Sequence, residues 1–302
     1  MTVPSHAPSD GLPNVAAITM ARDEGSMLPR WVAHYSRELG GPRNVFVVDD
    51  NSVDGSTDDL ACSVLRIPPI TKKAFEPARM GTVSGLAAAL LESYDAVLFA
   101  DADEFIVADP ERHESLRHFA AARTGVDALG VVALNVVHRV GIEPALDFGK
   151  PFLGQRRVAK FMPLMCKPSF KWVTAPWAKA SHGIYTPFEV DPDLWMFHLK
   201  FADRDHLKAA ADHRRAMVDM DGRAATTNWQ VGGDDMVALL DRIAGQVPDL
   251  KEMQPWRVPN QRLERIVQPF GDGIFRATGL KQTAAMESRP FVKIPQRFLG
   301  RV

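Results

Sequence analysis

The chain is short of cysteine and tyrosine, with two and three in 302 residues. Cys62 and Cys166 are too few for a disulfide framework or a thiolate metal site, and they read as free thiols of a reducing compartment. A cytoplasmic location is expected on that ground. No apolar run approaches the ~18 residues that a membrane-crossing helix needs, so no transmembrane segment is expected. Charge of either sign is not in excess: 36 Lys and Arg stand against 37 Asp and Glu, a net charge of -1. Composition therefore gives no pull toward nucleic acid, which is not expected as a partner. Repeats and low-complexity tracts are absent. Residues 1–13 are rich in Pro, Ser and Asp, without a basic or an apolar secretory region, and are expected to be disordered. What is present is ordinary for a globular protein: 46% hydrophobic and 24% charged residues, enough for one large domain or two modest ones.

Apolar runs alternate with helical spacing along the first half. Asn14–Met20 reads as a strand, followed by a polar loop, Ala21 to Gly25. Leu28, Trp31, Val32, Tyr35 and Leu39 recur at helical spacing until Gly40-Gly41-Pro42. Asn44–Val48 reads as a second strand ending in acids, with a helix expected over 56–65 and a short strand at Leu65–Ile67. Residues 76–94 and 111–124 read as helices, and Ala128–Val137 as an apolar strand. Residues 138–179 show no clear period, and Trp195–Phe201 alternates. Helices are expected over 204–219 and 232–245, and an irregular tail from Pro255. Strand–helix units in sequence imply an α/β fold with a parallel sheet.

The stretch that organises the chain is residues 95–106. An apolar run from Ala96 to Ala100 delivers Asp101, Asp103 and Glu104. Unpaired carboxylates are costly in a core, so these acids should sit at the carboxyl edge of the sheet, where open α/β sheets bind ligands. Asp101 and Asp103 suit a hard divalent cation. Residues 21–25, 49–52 and 101–104 all follow strands, so three polar loops should converge there.

Ala21-Arg-Asp-Glu24, the loop from Val47 through Asp49-Asp50-Asn51-Ser52 to Thr57, and Phe99-Ala-Asp-Ala-Asp-Glu-Phe105 together resemble glycosyltransferases of the GT-A fold, in the family-2-like group. His198-Leu-Lys200 resembles the downstream His-x-Lys segment of that group. The likeness covers roughly residues 14–205, which are expected to form the nucleotide-sugar-binding and catalytic domain. It implies a Rossmann-like, mixed but mostly parallel sheet flanked by helices. Residues 206–302 would be a helical and irregular extension, on the acceptor side or in oligomerisation.

The resemblance implies a metal-dependent, inverting transfer from a nucleotide-diphosphate sugar, usually a uridine diphosphate sugar, with Mn²⁺ or Mg²⁺. Asp103 and His198 would hold the metal. Asp50 would accept from the nucleobase, while Met20, Ala21, Arg22 and Glu24 frame base and ribose. Asp101 and Ala102 would lie by the ribose or donor sugar, and Arg79 and Lys200 by the phosphates. Glu104 would stand behind them. The Arg-Asn pair that many members carry before the Asp-x-Asp strand is missing here. A clear Glu-Asp base motif is missing too, and Asp191, then Asp193, take its place as candidate base. His182 and Trp177 are candidates for acceptor or phosphate contact. The acceptor would be a glycan, a lipid-linked glycan or a small molecule, and the enzyme could be a homo-oligomer.

Each candidate has a plainer reading: a core histidine for His198, a loop histidine for His182, a core aromatic for Trp177, a surface turn for Asp191-Pro192-Asp193. Three other functions compete. A phosphatase using Asp-x-Asp as nucleophile would want Thr or Val after the second Asp, where Glu104 stands. A nucleotide-sugar-forming nucleotidyltransferase would want glycines after the first strand, which Ala21–Glu24 lacks. A non-catalytic nucleotide-sugar-binding protein would not need Asp101, Asp103 and His198 together.

Overall fold

The computed structural model describes residues 10–71, 75–225, 227–257 and 262–302. The expected disorder of the first residues falls outside these, apart from Asp10 to Pro13. In chain order the first elements are β1 (Val15–Ala21), α1 (Leu28–Glu38), β2 (Val45–Asp49), β3 (Ser63–Arg66), α2 (Phe75–Leu90), β4 (Ala96–Phe99), β5 (Glu104–Ala108), α3 (Leu116–Ala121) and β6 (Ala128–Val137). A short turn, α4 (Phe152–Gln155), leads to β7 (Val158–Phe161), β8 (Phe170–Lys171), β9 (Trp177–Ala178), β10 (Gly183–Ile184) and β11 (Glu189–Phe201). The chain then forms α5 (Arg204–Asp221), α6 (Gly233–Ala244), β12 (Val267–Gly271), β13 (Ile274–Ala277), α7 (Gln282–Ser288) and β14 (Phe291–Lys293).

The architecture is α/β, a mixed sheet flanked by helices. Its path runs β14-β7-β6-β8-β4-β1-β2-β3, with β11 laid beside β6 and β5. The strands β4, β1, β2 and β3 are parallel. β1 and β4 are buried at every position, which explains their unbroken apolar runs. In α1, Leu28, Trp31, Val32 and Tyr35 face the core, and Gly40 at φ 78° ends it in a backbone state that glycine tolerates. Asp203 caps α5 by accepting from the backbone N–H groups of Asp205 and His206, and Gly222 closes it in the left-handed region. β12, β13, β10 and β9 form a second, four-stranded sheet.

Several expectations need correction. No helix spans 56–65: the segment is loop until β3. Its Asp, Ser, Thr and Gly residues bond locally instead, with Asp49 accepting from Ser52 N–H at 2.7 Å and Thr57 Oγ1 at 2.9 Å. The helix expected over 111–124 is only α3, started where the Ser115 side chain caps it. Directly after the acidic turn, Glu104–Ala108 form β5, a fully buried strand that no expectation covered. The aperiodic stretch 138–179 breaks into short strands, too brief to show a period. The tail from Pro255 holds β12, β13, α7 and β14, and β14 pairs with β7 in the main sheet. Met286, Phe298 and Val302 share the main core, so the last residues are structural parts of the same body.

Candidate active site

The carboxyl ends of β1, β2 and β4 open on a cavity of about 330 Å³. Every residue expected at the site lines it except Trp177, Asp191 and Asp193. Helix α5 and the segment after it form the opposite wall, through residues such as His213, Arg214, Met217 and Trp229.

β4 ends at Phe99, and a tight turn brings Asp101 and Asp103 to the sheet edge before β5 begins at Glu104. The Glu104 N–H donates to the Asp101 carbonyl at 2.9 Å. The Asp101 carboxylate meets the Arg79 guanidinium of α2 and Lys167 Nζ at 3.2 Å. Lys167 also stands 2.7 Å from Glu104, which is 1% exposed. Burial opposes ionisation of Asp101, but Arg79 and Lys167 hold its carboxyl well below the usual range. Glu104 therefore serves by anchoring Lys167 and by accepting the Asp101 N–H at 3.1 Å.

Strand register places the histidine. In β11, His198 pairs with Glu104 of β5 on one side and Asn135 of β6 on the other. The Leu199 N–H donates to the Asp103 carbonyl at 2.8 Å, fixing the two chains edge to edge. His198 Nε2 lies 3.3 Å from Asp103 Oδ2, while its Nδ1 lies 2.8 Å from Asn135 Oδ1. A proton on Nδ1, donated to Asn135, leaves the Nε2 lone pair aimed at the carboxylate. Two such donors face to face repel unless a proton or a metal ion lies between them. This donor set fits a divalent cation. Among the described residues no group of three or more His, Cys, Asp or Glu side chains could hold a metal ion. Mg²⁺ is commonly bound by one or two protein ligands, with substrate phosphates and water completing its sphere.

Cations surround this pair. Burial works against Asp103 being ionised, yet a proton on the His198 ring between the two groups, with Arg214 and Lys200, keeps it far below the usual carboxylate range. Burial and Arg214 push Lys200 down to about 8, and its Nζ donates to Gln282 Oε1 of α7 at 3.3 Å. Arg22 Nε and Nη1 are buried with no hydrogen-bond partner among the described residues. Burial, against the pull of Arg214 and helped by Asp103 and Asp101, pushes Glu24 up to about 7. His182 is driven down to about 3 by burial and the Lys167 charge. It is neutral, with Nδ1 held 2.9 Å from the Leu164 carbonyl. Asp50 lines the cavity, but its oxygens already accept from Ile70 N–H at 2.6 Å and Arg223 Nη1 at 2.9 Å. A carboxylate has lone pairs to spare for a further donor.

Three expectations are displaced. Trp177 is a core residue: its Nε1–H donates to the Pro168 carbonyl at 2.7 Å, its ring lies 5.6 Å from Phe99, and Lys171 Nζ caps it at 3.8 Å. Asp191 and Asp193 do not stand on a loop beside His198 but in the first half of β11. Seven strand residues from Asp191 to His198 span roughly 20 Å. Asp191 takes Arg123 in a two-pronged pair at 2.6 and 3.1 Å. Asp193 meets Arg112 at 3.2 Å and Arg123 at 3.1 Å. The expected base is thus tied into an ion-pair cluster away from the cavity.

Other residues escaped sequence reasoning. Asn135 is the one polar side chain in an otherwise apolar ten-residue strand, a signal that was there to be used. Lys167, 1% exposed, follows an apolar stretch in the same way. Arg214 and Gln282 carry no such mark, because only the packing of α5 and α7 brings them in.

No protein-family model matches the chain, and no curated protein does. Solved structures do resemble it. A mannosyltransferase from Pyrobaculum calidifontis, in complex with GDP-Man and Mn²⁺, is 21% identical over 40% of this chain and 36% of its own, with a TM-score of 0.28. TarS from S. aureus is 15% identical over 67% of this chain and 40% of its own, at 0.35. Mannosyl-3-phosphoglycerate synthase from Rubrobacter xylanophilus is 15% identical, over 54% of this chain and 53% of its own, at 0.28. The chain thus spans well under half the length of the first two. Scores this low carry no argument about what this chain does, which rests on its own side chains.

Proposed function

We propose that this chain is a metal-dependent glycosyltransferase that moves a sugar from a nucleotide-diphosphate sugar, a uridine diphosphate sugar first among candidates, to a hydroxyl acceptor. The observation that carries the reading is the Asp103–His198 pair, 3.3 Å apart at the sheet edge, inside a cavity also lined by Arg22, Arg79, Lys167, Lys200 and Arg214. Six carboxyl groups line it too, but Lys200 and Arg214 pair with none of them among the described residues, and such cations suit a polyanion. Asp103 and His198 would hold a Mn²⁺ or Mg²⁺ ion, which neutralises the diphosphate and the charge on the leaving group. Arg214 and Lys200 stand where they add to that neutralisation. Phe75 and Trp229, with ring centres 5.1 Å apart, offer flat faces at the same cavity for a nucleobase.

A single in-line displacement inverts the anomeric centre and needs one group to take the acceptor proton. With Asp191 and Asp193 outside the cavity, Glu24 is the lining carboxyl whose affinity for a proton, near pH 7, suits that task. The test is a panel of nucleotide sugars in thermal-shift measurements with and without Mn²⁺, followed by donor hydrolysis with the one that binds. A ligand that binds only the folded state raises its stability. Stabilisation by at least one donor, dependent on Mn²⁺, is expected. No response to any nucleotide sugar would overturn the reading.

A further inference from the structure

The second sheet carries a surface that the donor reading does not use. β12 and β13 form an antiparallel hairpin whose inner strand pairs with β10. At its tip Phe270 is 51% exposed, an unusual place for a phenyl ring. Two cations flank that ring: Arg276 at 5.0 Å from its centre and Lys179 at 5.6 Å. Arg276 Nε is buried with no hydrogen-bond partner among the described residues. Residues 251–302 hold ten Lys and Arg against four Asp and Glu, in a chain whose totals are 36 and 37.

The hairpin is joined to the cavity. Arg276 pairs with Gly183, whose neighbour His182 lines the cavity. Gly183 permits the close approach, since a Cβ there would meet Ile274 Cγ2 at 2.9 Å. Lys179 opens a run of three non-glycine residues at positive φ, with Ala180 at 56° and Ser181 at 67°. Such a backbone is strained for residues that carry a Cβ and tends to mark ligand sites. Ala180 also lines the cavity. A molecule lying on Phe270 would thus run along Lys179 and Arg276 into the site.

We propose that the β12–β13 hairpin, with Lys179, is where the acceptor docks, and that the acceptor is a carbohydrate bearing an anionic group. This rests on the transferase reading. The exposed phenyl face stacks on a sugar ring, which presents apolar C–H groups on one side. Arg276 and Lys179, both beside that ring, then pair with a phosphate or carboxylate next to it. A neutral glycan would leave both cations unmatched.

The test uses the full chain and three small probes, glucose 6-phosphate, glucuronic acid and glucose, followed by saturation-transfer NMR. At least one anionic sugar is expected to bind more tightly than glucose. Phe270→Ala should weaken that binding about three- to tenfold, the worth of one stacked ring, and Arg276→Gln about tenfold or more. Met220→Ala, an exposed change on α5, should leave it alone. Preference for glucose 6-phosphate assigns a phosphate, and preference for glucuronic acid a carboxylate. Binding unchanged in Phe270→Ala, or glucose binding as well as both anionic sugars, overturns the docking site. The two readings fail separately. Mn²⁺-dependent stabilisation by uridine diphosphate should persist in Phe270→Ala. Its absence from the parent, together with that of every other nucleotide, sinks the transferase reading instead.

Discussion

Two clusters of acids stand toward opposite ends of β11, and they differ in what their oxygens already touch. Toward the start, Asp191 and Asp193 take Arg123 and Arg112, and Asp109 nearby takes Arg297 in a two-pronged pair at 2.8 Å on each oxygen. Each guanidinium fork fills a carboxylate and ties one element to another. Toward the other end, Asp103 faces a histidine at 3.3 Å, and Glu24 makes no side-chain hydrogen bond among the described residues. Arg22 is left short of acceptors, and Arg214 and Lys200 crowd the same cavity. An acid whose bonding capacity is used up inside the chain holds the fold together. One that is left with spare capacity, in a cavity where Lys200 and Arg214 pair with no carboxylate among the described residues, is arranged for something that arrives.

The largest expected effect comes from breaking the closed cluster. Asp191→Ala combined with Asp193→Ala should strand Arg123, whose side chain is only 22% exposed, and cost about 3–5 kcal/mol in urea unfolding. Nucleotide binding by the folded variant should match the parent. A variant of parental stability that has lost turnover would return Asp191 to the role of base and erase the contrast between the clusters.

Glu24 sharpens the comparison through pH. Its carboxyl is raised in the folded state to about 7, so the folded chain holds that proton more tightly than the unfolded one. Its contribution is fully present below about pH 4.5, declines as pH rises toward 7, and is flat above. Glu24→Gln keeps the neutral shape at every pH. The variant should therefore be more stable than the parent above pH 7 by up to about 3 kcal/mol, the difference shrinking to nothing near pH 4.5. Donor turnover should fall in the same variant, by about 10²-fold or more if Glu24 takes the acceptor proton. Equal stability at pH 8 would show that Glu24 is solvated or paired.

The smallest effect belongs to Trp177. Trp177→Phe removes the hydrogen bond to Pro168 from a packed site and should cost about 1 kcal/mol. Affinity for nucleotide sugars should not move. A clear loss of affinity would place the ring in the site after all.

Much of the donor side was legible because it follows directly from strands. Residues just beyond β1, β2 and β4 sit at one edge whenever parallel strands are neighbours, so Arg22, Glu24, Asp50 and Asp101 needed only the pattern. His198 was found through the resemblance of His198-Leu-Lys200 to the His-x-Lys segment of the GT-A group, and the antiparallel register of β11 on β5 supplies the contact. Asp191 failed for a related reason. Its Pro-flanked acidic run suggested a turn, but β11 absorbs it as an irregular strand with a register shift between Val190 and Trp195. Arg123, the partner that defines its role, lies 68 residues away. Arg214 and Gln282 likewise depend on helix packing that no local period encodes. Asn135 was missed although a lone amide in an apolar strand should prompt a search for its partner.

The central claim is that the open cluster, and not the closed one, takes a metal ion together with a nucleotide. Electron paramagnetic resonance of Mn²⁺ titrated with uridine diphosphate and, in parallel, guanosine diphosphate reads this directly, because bound and free ion differ in signal. The parent should bind Mn²⁺ in the presence of at least one nucleotide, Asp191→Asn should do the same, and Asp103→Asn should leave the ion free. Binding of Mn²⁺ retained by Asp103→Asn, or lost in Asp191→Asn while that variant remains folded, would contradict the account.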